Sequence, residues 1–275
     1  MNNNFTMSEI WTQSSYIRYN VNELFKIGNL LFRKTGNQLV SQHFFDISID
    51  DETVDKMKNY INEGFTFKFS YISKNVYEKL KEDFVVDLLD EWKAPKLSID
   101  DIDKYLSNSA HSQVKRNYKR YLKEKSMYNF KVSNENYNSL KLWKDVLYID
   151  KNCWKGQQKC DMKSLDREDL QYVFYLLQNK ENSSLLVCYD NKIPVSYSLM
   201  FRANDKSEWY AVKWGASSTG RKKYLGIFAL FEHLRFINKM DNIVNVDFWG
   251  RRSQTYDYLK NNDEERFHLI VSGDV

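Results

Sequence analysis

The chain has 275 residues, a net charge of +4 and an isoelectric point near 8.7, with 28% charged and 16% aromatic side chains. That composition excludes a disordered or collagenous chain, leaves room for one large domain or two lobes, and permits an anionic ligand without demanding one. Three cysteines (Cys153, Cys160, Cys188) and four scattered histidines offer neither a disulfide framework nor metal-ligand spacing, so reduced thiols and no metal are expected. Met1–Ile10 lacks an apolar signal core and no apolar run reaches membrane-spanning length, which predicts a cytoplasmic protein.

In chain order, residues 11–49 read as short strands of an antiparallel meander, punctuated at Gly28-Asn29 and Gly36-Asn37. A helix is expected over Asp50–Asn62, with Val54, Met57, Tyr60 and Ile61 at helical spacing, followed by a strand over Phe65–Tyr71. A second helix over Asn75–Phe84 and a strand over Val85–Leu97, ending near Pro95, complete the first half. Ser98 is the expected N-cap of a helical region reaching Lys125, whose second half carries Lys115, Arg116, Lys119, Arg120 and Lys123. A solvated basic face is the plainer interpretation of these cations, and a grip on RNA or another polyanion the sharper one.

Further helices are expected over Asn136–Lys151 and Asp166–Asn179. Strands then follow over Leu185–Tyr189, Ile193–Arg202 and Glu208–Trp214, with a turn at Asp190-Asn191. After a basic loop come a helix over Tyr224–Met240, a strand over Ile243–Phe248, a short helix over Tyr256–Lys260 and a strand over Arg266–Ser272. The pattern predicts an α/β protein: two mixed lobes, 1–100 and 101–275, with a mixed, mainly antiparallel sheet and helices on both faces.

The segment Trp214-Gly-Ala-Ser-Ser-Thr-Gly-Arg-Lys-Lys-Tyr-Leu-Gly226 carries the chemistry. A strand, a turn holding Gly220 and three consecutive cations, then a helix start would surround one point with N–H dipoles and positive charge, suiting a phosphate-bearing donor. The expected donor-binding residues are Lys213, Trp214, Gly215, Ala216, Ser217, Ser218, Gly220, Arg221, Lys222 and Lys223. A polar loop with solvated lysines is the plainer alternative. In Val246-Asp-Phe-Trp-Gly250, Asp247 ends a strand at the carboxyl edge of the sheet, as either a proton acceptor or a loop-holding carboxylate. Cys153-Trp-Lys-Gly156 reads as a helix end with Trp154 packed beneath its glycine. His233 and Glu232 on the apolar helix serve packing unless they face a cleft. There is no GxSxG, P-loop, GxGxxG or HExxH motif, so covalent catalysis is not suggested.

Trp214-Gly-Ala-Ser-Ser, Arg221, the long helix and Val246–Gly250 resemble the strand–turn–helix–strand signature of Fem-type peptidyltransferases. Arg116–Leu122, Cys153–Gly156, Asp190–Val195 and Tyr256–Val271 resemble the CelD-like branch of GNAT-fold acyltransferases. The resemblance covers residues 105–275. It implies a two-lobed GNAT architecture and transfer of an acyl group to an amine of an amino sugar, a polysaccharide or peptidoglycan precursor, or a natural product. The donor is acyl-CoA, or aminoacyl-tRNA in the Fem-like alternative. Asp247 is then the candidate base, and Trp154, Lys155, Trp249, Arg251 and Tyr256 shape the acceptor site. The usual glycine-rich acyl-CoA loop is reduced here to Gly220, and a catalytically inert GNAT-fold binding module is the alternative from another class.

Overall fold

A computed structural model describes residues 24–28, 30–41, 49–133, 139–153, 177–178, 181–202, 208–248 and 254–274. The expected helix over Asp166–Asn179 lies almost wholly outside the described residues. The chain is mixed α/β, with mostly antiparallel strand pairing, and divides into two compact units: residues up to Ala94 together with those from Asp263 onward, and Pro95–Asn262.

The first unit holds β1 (Leu24–Ile27), β2 (Leu30–Thr35), β3 (Gln38–Val40), α1 (Asp51–Asn62), β4 (Thr66–Ser73), α2 (Lys74–Asp83), the first part of β5 (Phe84–Ile99) and β11 (Asn262–Asp274). Its sheet order is β1-β2-β3-β4-β11-β5, with only β3 and β4 known to run parallel among the pairs whose register is defined. Asp50 caps α1 by accepting from the Thr53 amide at 2.8 Å, and the buried face of that helix (Val54, Met57) meets Phe32, Phe67 and Phe69. Phe32 sits edge-on to Phe67 and Phe69 at 5.2 and 5.7 Å, an arrangement favoured by the ring quadrupoles.

The second unit contains the remainder of β5, α3 (Ile102–Ser107), α4 (Ser112–Glu124), β6 (Asn129–Val132), α5 (Ser139–Lys151), β7 (Ser183–Asp190), β8 (Ile193–Arg202), β9 (Trp209–Ala216), α6 (Ser218–Lys222), α7 (Leu225–Asp241), β10 (Val244–Asp247) and α8 (Gln254–Leu259). The sheet order is β5-β10-β9-β8-β7-β6, antiparallel except between β10 and β9. β7 and β8 are buried on both faces because helices cover both. Ser196 and Ser198 of β8 face α7, bonding the Leu225 carbonyl at 2.8 Å and His233 at 3.0 Å. Tyr197 points the other way and bonds Asp150 of α5. Phe228, Phe231, Leu234 and Ile237 form the buried stripe of α7, each contributing on the order of 1.5–3 kcal/mol by leaving water.

Three sequence expectations are corrected here. β5 runs through Pro95 to Ile99: the Ser98 amide bonds the Asn261 side chain at 3.0 Å, so Ser98 stays in the strand, and Asp101 caps the helix by accepting from Lys104 at 2.9 Å. The helical region to Lys125 is two helices, α3 and α4, broken at Asn108–His111. The basic loop is largely one helical turn, α6.

His233 is wholly buried, its ring nitrogens 3.0 Å from Ser198 Oγ and 2.8 Å from Ser184 Oγ, and burial pushes its pKa down to about 3. The unfolded chain takes up this proton near pH 6.5 while the folded chain refuses it. The histidine's contribution is therefore complete above pH 6.5 and is lost as pH falls from there through about 3, with a slope reaching roughly 1.4 kcal/mol per pH unit. Chemical denaturation at pH 7 and pH 5 should show His233→Asn much less stable than the parent at pH 7 and the gap narrower at pH 5. A gap that is the same at both pH values contradicts this assignment.

Candidate functional site

β9 pairs with β8 along its length, but its parallel pairing with β10 covers only Trp209–Val246 and Tyr210–Asp247. On the other edge of β10 the Phe248 amide bonds the Pro95 carbonyl at 2.9 Å, continuing the antiparallel ladder with β5. On the β8 side the register jumps from Leu199–Lys213 to Met200–Ala211, making Val212 the extra residue of a β-bulge. Among the described residues the β10 ladder lies beside Trp209 and Tyr210, ahead of the Val212–Ala216 segment.

A groove of about 650 Å³, its open mouth included, forms in this unit beside that strand segment. Its wall takes Trp214 and Ala216 from β9, Gln113, Val114 and Asn117 from α4, and Gly226 and Ile227 from the first turn of α7. Arg221, Tyr224, Thr255 and Tyr258 complete it. The floor is apolar and aromatic, with amide and hydroxyl groups and a guanidinium around it, the lining expected of a small-molecule site. Tyr224 joins α6 to α7 in the left-handed region, φ 64°, and its ring lies under the Arg120 guanidinium at 5.2 Å. Arg116, Lys119 and Lys123 of α4 are exposed.

The turn after β9 is set by short-range bonds. Ser217 caps α6 by accepting from the Gly220 amide at 3.1 Å, and its own amide bonds the Val195 carbonyl at 2.8 Å. Gly220 lies so close to β8 that a Cβ would stand 2.3 Å from the Val195 oxygen, which only glycine tolerates. Lys223 does not reach the groove wall; it pairs with Asp190 at 2.5 Å, and that carboxylate holds its pKa above the usual lysine value.

Of the expected donor residues, Trp214, Ala216 and Arg221 come together in the groove, and Ser217 and Gly220 shape its turn. Ser217 and Ser218 line a second pocket of about 620 Å³ with Tyr148, Asn152, Asp190 and Ile193. Lys222 is exposed, and Lys213 and Gly215 face the other side of the strand, where Lys213 pairs with Asp150 at 3.2 Å. Asp247 is fully buried near the end of β10, in register with Tyr210 and Lys96. Tyr256 lies behind the groove, stacked on Phe248 at 4.6 Å and beside Trp214 at 6.2 Å, and burial raises its pKa. Trp154, Lys155, Trp249 and Arg251 lie outside the described residues. Glu232 bonds Tyr121 and Arg235, while His233 is bonded to serines, so neither faces a cleft. Among the described residues no cluster of His, Cys, Asp and Glu could hold a metal, and no helix is long and apolar enough to cross a membrane.

Sequence reasoning missed Gln113, Asn117, Tyr224, Ile227, Thr255 and Tyr258 as lining residues. Gln113 and Asn117 left a signal: they stand one helical turn apart as uncharged amides on an otherwise basic helix.

No family model matches the chain and no curated protein matches it. Solved structures do. L-PGS from Bacillus licheniformis aligns with TM-score 0.60 at 14% identity, covering 91% of this chain and 83% of that one. FemX aligns with TM-score 0.60 at 11% identity, covering 95% and 90%. A tandem GNAT protein from the clavulanic acid biosynthesis pathway aligns with TM-score 0.50 at 6% identity, covering 89% and 77%. At such identities the likeness establishes fold. Gly220→Ala should lower stability by about 2 kcal/mol or more, because strand and turn must separate to admit a methyl group; thermal melts unchanged from the parent would contradict the turn described above. The chain shares the fold of FemX, L-PGS and the tandem GNAT protein.

Proposed function

We propose that this protein is a cytoplasmic N-acyltransferase that moves an acyl group from acyl-CoA to an amine acceptor, such as an amino sugar or a cell-envelope precursor. The observation that carries this reading is the groove beside the Trp214–Ala216 end of β9, with Arg221 in its wall. We take the chain as two GNAT-like lobes, 1–100 and 101–275, with transfer in the second; the two compact units support this division, except that the strand from Asp263 onward belongs with the first unit.

In this reading the donor's acyl arm lies in the groove against Trp214, Ala216 and Ile227, with its phosphates toward Arg221 and Lys222 at the turn. Backbone N–H groups in Lys213–Ala216 stabilise the oxyanion. The neutral amine attacks the thioester carbonyl, the tetrahedral adduct collapses, and the C–S bond breaks. The amine's proton leaves to Asp247 or water and the thiolate is protonated on release. Trp154, Lys155, Trp249, Arg251 and Tyr256 remain the proposed acceptor side, and Lys223 a rim cation released from Asp190 on donor binding.

A second reading replaces acyl-CoA with aminoacyl-tRNA. The exposed cations Lys115, Arg116, Lys119 and Lys123 on α4, whose Gln113 and Asn117 line the groove, favour it. A catalytically inert module is the outcome if no donor is turned over.

Acetyl-CoA and charged tRNA should be titrated in a thermal-shift assay, and a heavy-acyl donor incubated with cell extract and read by mass spectrometry. Acetyl-CoA should raise the melting temperature, with the shift falling about tenfold in apparent affinity in Arg221→Ala, since one charge-assisted contact is lost. No shift with acetyl-CoA, or a shift indifferent to Arg221→Ala, overturns the acyl-CoA assignment; steeply salt-dependent tRNA binding establishes the second reading instead.

A further inference from the structure

Between Val212 and Ala216, β9 pairs with β8 and carries a bulge at the start of the segment, so its backbone needs holding from the sides. On the face away from the groove, a compact set of polar groups grips this segment. Asp150, 6% exposed in the last turn of α5, accepts from the Tyr197 hydroxyl at 3.0 and 3.2 Å and from Lys213 Nζ at 3.2 Å. Tyr197 is the cross-strand partner of Gly215, and Lys213 is one pleat earlier on the same face. A Cβ on Gly215 would stand 2.7 Å from Tyr197 Cε1 and 3.0 Å from Asp150 Oδ1, so the carboxylate and the ring press directly on the strand backbone.

The helix, β8 and β9 are therefore tied at one carboxylate. Its neighbours on the strand, Trp214 and Ala216, line the groove from the opposite face. A buried ion pair is a weak source of net stability compared with apolar packing, because both charges lose their hydration. What it supplies is direction: the bonds at Asp150 are satisfied in one placement of Lys213 relative to Tyr197. The same helix carries a near-duplicate device that serves as an internal control. Asp145 accepts from the Tyr189 hydroxyl at 2.5 Å and pairs with Lys141 at 3.1 Å, but it ties α5 to β7, two strands from the groove edge.

We propose that Asp150 is a positioning residue: through Lys213 and Tyr197 it fixes the Val212–Ala216 backbone against which the donor's carbonyl is placed. The role rests on the transferase reading above, and Asp150 itself touches no reacting atom.

Asp150→Asn and Asp145→Asn are compared in the full chain. Both should melt earlier than the parent. Only Asp150→Asn should speed hydrogen exchange in a peptide spanning Val212–Ala216, read by mass spectrometry; this arm needs no substrate. With acetyl-CoA and the acceptor found for the parent, Asp150→Asn should lower kcat about 10- to 100-fold while KM for acetyl-CoA stays within about twofold, because orientation rather than binding is lost. Asp145→Asn should leave both constants within about twofold. Lys213→Met combined with Asp150→Asn should be no slower than either single variant, since the two act as one unit. If Asp150→Asn does not fold, Tyr197→Phe takes its place in every arm. Equal exchange and equal kcat in the Asp150 and Asp145 variants overturn the proposal and leave the transferase reading standing. A parent that turns over neither acetyl-CoA nor charged tRNA sinks that reading instead, and with it the positioning role.

Discussion

Every feature of the candidate site depends on where the Val212–Ala216 segment of β9 lies beyond the two residue pairs it shares with β10 among the described residues. A strand laid along the groove side of that segment would close the space that Trp214, Ile227 and Arg221 surround. On its other edge β10 is held to β5 as far as the Phe248 amide and the Pro95 carbonyl, and the Phe248 ring stacks on Tyr256.

The groove-side segment of β9 is held from its two faces. On the groove side, Ser196 bonds the Leu225 carbonyl and the phenylalanines of α7 fill the core. On the other side, Asp150 bridges α5, β8 and β9. Between these lies the tight approach of Gly220 to Val195, which fixes where α6 begins. Packing, polar bonding and turn chemistry thus agree on one placement of a backbone segment.

Much of this was legible in the sequence because it is local. Asp50 ahead of a helical stripe, Ile193–Arg202 as a strand, and the order strand, turn, helix, strand after Glu208 all follow from spacing and turn residues, and the structure has them. What escaped is long-range or competitive. Ser98 and Asp101 are both good caps, and the choice falls to Asp101 because Asn261, 163 residues away, claims the Ser98 amide. Three cations in a row suggested an open phosphate loop, yet Ser217 winds the first two into a helical turn and Asp190 draws off the third. Nothing in the spacing of Asp150, Tyr197 and Lys213 announces that they meet, since helix and sheet packing brings them together.

The most direct test of the whole scheme is a crystal structure of the protein with acetyl-CoA. The thioester carbonyl oxygen should lie within hydrogen-bond distance of a backbone amide between Lys213 and Ala216, with the phosphates near Arg221. A ligand seated instead in the pocket beside Tyr148 and Asp190, or with its carbonyl away from β9, would contradict the role given to the backbone of that strand.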